Sequence, residues 1–60
     1  MTYEIGTKVK MSYGPEYTVV GFHWSDTVFA PNDKNDKQVL IYTDNEIAEL
    51  IEKKRIKTIQ

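Results

Sequence analysis

The stretch Val39-Leu-Ile-Tyr-Thr-Asp-Asn-Glu-Ile-Ala-Glu-Leu-Ile-Glu-Lys-Lys-Arg-Ile-Lys-Thr-Ile59 decides the fold of this chain. It admits two readings. As helix, Thr43-x-x-Glu46 forms a capping box. Ile47, Leu50 and Ile51 then recur at i, i+3 and i+4, with acids leading and bases trailing as the helix dipole prefers. As strand, Asp44-Asn45 is a tight turn between two β-like runs. Residues 46–51 become a fourth strand, 52–55 a single turn and 56–59 a closing strand. Ile47, Ala48, Leu50 and Ile51 alternate poorly for that reading. Topology nevertheless favours it: a final strand paired with the first would give Ile56 and Ile59 a place and cover an exposed edge.

Upstream, the pattern is that of strands. Thr7-Lys-Val-Lys-Met-Ser12 alternates apolar and polar side chains, as a half-buried strand does. Tyr13-Gly-Pro-Glu16 is a turn. Tyr17-Thr-Val-Val-Gly-Phe-His-Trp24 reads as the central strand, with Gly21 marking a bulge or bend. Ser25 to Lys37, with Pro31 and a tandem Asn-Asp-Lys at 32–37, is expected to be a long loop in which Val28-Phe-Ala30 folds back as an apolar island. Gln38 to Tyr42 is the next strand. The favoured architecture is a five-stranded all-β barrel. The alternative is α+β, a three-stranded antiparallel sheet with a helix at about 44–55.

Sixty residues fit one domain, 1–60, near the lower size limit for a self-supporting apolar core. Such a domain folds marginally or gains stability from a partner or a second copy. Without cysteine, neither disulfides nor thiolate metal sites are available. No apolar run approaches the roughly 20 residues of a membrane span, and no signal peptide is apparent, so a cytoplasmic protein without membrane contact is expected. A net charge of −1 gives no global attraction to nucleic acid.

Taken together, the strand at Gly6–Met11, the strand at Tyr17–Phe22, the turn at Asp44-Asn45 and the closing Arg55–Ile59 resemble the SH3-like small β-barrel superfamily, the architecture of SH3, Tudor and KOW domains. That resemblance implies a non-enzymatic interaction module. The acidic and aromatic groove of proline-binding SH3 domains and the glycine-spaced KOW motif are both missing. So are the catalytic residues of the type II dihydrofolate reductases, which are barrels of similar size; around Ile47-Ala-Glu-Leu50 the chain departs from their Val-Gln-Ile-Tyr segment. The alternative architecture is similar to a chromodomain.

No constellation points to a reaction. His23, the single histidine, has neither a carboxylate orienter nor a nucleophile specified by the sequence. The Asn-Asp-Lys repeat lacks the Gly and terminal Glu of a calcium loop. No catalytic residue, cofactor, metal or small-molecule substrate is therefore expected. Two surfaces remain. The aromatic residues exceed what a 60-residue core can enclose on both strand faces, so His23, Trp24, Phe29 and Tyr42, with the 25–37 loop, are expected to bind a protein partner or a second copy. Lys8, Lys10, Lys54, Arg55 and Lys57 are the alternative site, a basic face for nucleic acid on the first and last strands. A helix at 46–51 is expected to break that face up.

Overall fold

The computed structural model describes residues 3–59. Five strands, β1 (Lys8–Met11), β2 (Glu16–His23), β3 (Asp26–Pro31), β4 (Leu40–Tyr42) and β5 (Ile56–Thr58), form one sheet. Every neighbouring pair is antiparallel, in the order β4-β3-β2-β1-β5. One helix, α1 (Asp44–Glu52), joins the two edge strands in sequence. The domain is thus strand-rich, with an open five-stranded antiparallel sheet and a single short helix.

The two readings of the C-terminal third were each half right. Residues 46–51 are helix and not a strand, and Asp44-Asn45 begins that helix instead of turning a hairpin. Thr43 caps it: its hydroxyl accepts from the Glu46 amide at 3.1 Å, and the Glu46 carboxylate accepts from the Thr43 amide at 2.9 Å. These reciprocal bonds satisfy amides that a helix start otherwise leaves orphaned. The helix ends at Glu52, short of the expected 55. Lys54 adopts φ 58, its amide donates to Ile51 O at 3.0 Å, and the Arg55 amide donates to Leu50 O at 2.8 Å. This paired 5→2 and 6→1 bonding is a Schellman ending, and it turns the chain back sharply. Ile56 therefore reaches Met11, and the closing strand forms after all. The sheet of the alternative form has five strands, not three.

The expected 25–37 loop is also corrected. Trp24 and Ser25 form a two-residue turn, and Asp26–Pro31 runs back along β2 as a strand. Proline is tolerated because it is the last residue of β3. The remaining connection, 32–39, is polar and held by its own side chains. Asp33 Oδ1 accepts from the Asn35 amide and Asp36 Oδ1 from the Gln38 amide, both at 2.9 Å. The tandem Asn-Asp-Lys thus builds two successive side-chain turns.

Register explains the core. Val9 lies opposite Tyr17, Val19 opposite Phe29, and Phe29 opposite Leu40, so these side chains share the inner face. Between Val19 and Gly21 the register shifts by one residue, and Val20 is the extra one. That bulge reverses the alternation: Phe22 turns inward opposite Thr27, and His23 turns outward opposite Asp26. Phe29 is the centre of the core, fully enclosed, with the Tyr42 ring 5.9 Å and the Tyr3 ring 6.1 Å away, both edge-on. The helix packs on both β4 and β5, and its Ile47 is fully buried in the same cluster. Ile47, with Leu50 packed beside it, therefore covers the open side of a sheet whose edge strands do not pair.

Candidate functional site

The β2–β3 hairpin carries the first candidate surface. Trp24 is 88% exposed, the most open of the large apolar side chains. Its backbone has φ 60, in the left-handed region. A two-residue hairpin turn calls for such a φ because it matches the right-handed strand twist, and glycine or asparagine normally supplies it. With a Cβ the conformation costs about 1–2 kcal/mol. Among the described residues His23 is the one ring paired with the indole, edge-on at a ring separation of 6.3 Å. The outer sheet face continues from this tip through Val28, opposite Gly21, to Ile41, and the bulged Val20 stands exposed beside it.

The other expected contact residues divide. His23 is exposed beside Trp24, with Asp26 as its register partner across the turn. Tyr42 is half-buried against Phe29; burial first, then the charges of Tyr13 and Glu46, holds its phenol above the usual range. Phe29 offers no surface at all: the unexpected strand β3 turns it into the core opposite Val19. Val20 and Ile41, each about half exposed, were not anticipated. The signal was Gly21, since a bulge there flips the alternation that assigned faces along β2.

The basic side chains do come together. Lys10 lies directly opposite Lys57 on the outer face, and Lys8 is two residues along on the same strand face. Lys54 and Arg55, brought up by the helix ending, line a groove with Lys10, Ser12 and Lys57 over Met11 and Ile56. The Ser12 amide donates to Arg55 O at 2.8 Å and ties the two strands together beside the groove. The expectation that a helix at 46–51 would scatter this face is overturned, because the sharp reversal after α1 restores the β1–β5 pairing. Glu16 is the acid in register with Lys10, on the β2 side. Among the described residues the one ion pair is Glu49–Lys53 on the helix, 2.7 Å apart, which leaves all five basic-face residues without a carboxylate at bonding distance.

Among the described residues no group of three or more His, Asp or Glu side chains is placed to hold a metal ion, and no helix is long and apolar enough to cross a membrane. The chain matches no protein-family model, no curated protein and no solved structure. Its own geometry is therefore the basis for assigning it a role.

Proposed function

We propose that this protein is a non-enzymatic interaction module that binds a protein partner through the tip and outer face of the β2–β3 hairpin. Trp24 is the anchor, flanked by His23, Val20 and Ile41. The observation that carries this reading is the combination of exposure and strain at one residue. Folding gains nothing from an indole 88% exposed, and it loses stability to a φ of 60 that glycine would adopt freely. An exposed tryptophan on a strained backbone supports this reading, since tryptophan is enriched at binding hot spots and backbone strain clusters at functional sites. We further read the open sheet as an SH3-like small barrel in which α1, packed on β4 and β5, closes the side that hydrogen bonding leaves open.

The test separates binding from folding. Trp24→Gly relieves the left-handed strain at the cost of some unfolded-state entropy. It is expected to gain about 1 kcal/mol, which raises Tm by about 4–8 °C in a domain of this size. The same variant should lose the partner that the wild-type chain captures from nuclease-treated host lysate. Undiminished capture by the better-folded variant would remove Trp24 from the site. Sedimentation of wild type beside the variant distinguishes a second copy from a different protein, since only self-association changes with the concentration of the chain alone.

A further inference from the structure

We infer that the β1–β5 face is a second, independent binding surface, built for the phosphodiester backbone of nucleic acid. Lys8 and Lys10 stand about 7 Å apart along one strand face, given a rise of about 3.4 Å per residue. Lys57 stands beside Lys10 across the sheet. Like charges directly opposite one another destabilise a sheet. The fold nevertheless places these two together, although its chain carries a net negative charge. Lys54 repeats the pattern seen at Trp24. Its φ of 58 occupies the position after a helix where glycine is the usual residue. A strained lysine thus points the chain's basic run into the groove lined by Lys10, Ser12, Arg55 and Lys57.

The six acids of residues 33–52, Asp33, Asp36, Asp44, Glu46, Glu49 and Glu52, lie on the polar loop and the helix and not on β1 or β5, and of them Glu46 and Glu49 line a cleft with Arg55 at the helix side of the face. The basic face is therefore a local field within a molecule that is acidic elsewhere, which orients a polyanion toward one side. The outer-face neighbours are Ser12 in the groove and Thr18 opposite Lys8; β1 and β5 carry no aromatic side chain, and among the described residues the one exposed ring near the groove is Tyr13, in the turn after Ser12. Contacts are thus to phosphate and carry little sequence preference.

The probe is a fluorescein-labelled 20-nucleotide oligomer, offered as duplex DNA, single-stranded DNA or RNA, with polarisation read from about 50 to 200 mM salt. If all five cations engage a duplex, log K falls against log salt with a slope of about −4.5, a loss of about 500-fold across that range. On single strands the slope is about −3.5, so the arms identify the form preferred. Lys57→Gln should shallow the slope by about 1. Lys10→Glu with Lys57→Glu should abolish binding, and Glu16→Gln should tighten it by removing the one acid in register. Trp24→Gly should leave it unchanged, since the two surfaces are separate. Absence of binding at about 50 mM salt, insensitivity to the double substitution, or equal competition by polyglutamate would each overturn the inference, the last in favour of an acidic protein.

Discussion

Thr27 is fully buried, and its hydroxyl meets no hydrogen-bond partner among the described residues. It sits on the inner face of β3 between Phe22 and Tyr42, two aromatic neighbours in register. An unpaired buried hydroxyl costs about 1–3 kcal/mol, and valine has the same branched shape. Thr27→Val should therefore raise stability by about 1 kcal/mol, read as a higher urea midpoint at unchanged slope. A lower midpoint would mean that the hydroxyl has a partner the static geometry lacks. At this scale the sequence was readable where a residue type settles its own environment. Val9, Met11, Tyr17 and Val19 are core, as their alternation indicates. Phe29 was misplaced because Ser25-Asp26 and Pro31 look like loop punctuation, and Trp24-Ser25 lacks the Asn-Gly signature of a two-residue turn. A strained turn is where local rules fail.

The helix and its ending show how an element can be legible while its consequence is not. The Thr43–Glu46 box and the Ile47, Leu50 spacing are the local marks of α1 and both are present, although sheet closure had favoured a strand over 46–51. The turn expected at 52–55 and the closing strand after it are both present, but they were expected only with a strand at 46–51. Lys54 supplies the left-handed φ without being glycine, so the residues did not show that a helix and a final strand fit together. Lys54→Gly should stabilise the domain by about 1 kcal/mol, raising Tm by about 4–8 °C, because glycine takes that φ without strain. An unchanged or lower Tm would show that the lysine stem contributes packing that offsets its backbone cost.

For the whole molecule, the tyrosines set an alkaline limit. The Tyr17 phenol is pushed up to about 12, chiefly by its hydrogen bond with the Tyr13 side chain and next by burial. Burial also raises Tyr3 and Tyr42. Unfolded tyrosine ionises near 10, so the unfolded chain loses its proton first. Stability from Tyr17 is complete below about pH 10 and lost as pH rises toward about 12. Thermal melts across that window should show a falling Tm, and Tyr17→Phe should flatten the fall. Parallel decline of the two proteins would assign the effect to other groups, lysines included.

Several features of the protein follow from sequence alone: the absence of thiol chemistry in these 60 residues, the inner residues of β1, the local marks of a capped helix and a basic run at 53–57. Each rests on local spacing, which residue chemistry records directly. Tertiary structure decided the rest. The β-bulge at Val20 determined which way Phe22 and His23 face. The hairpin turn enclosed Phe29 and exposed Trp24. The reversal at Lys54 carried Ile56 back to Met11, so that Lys10 and Lys57 became neighbours. All three depend on backbone conformations at single residues. Their energy is repaid only by contacts many positions away, so no local pattern can specify them.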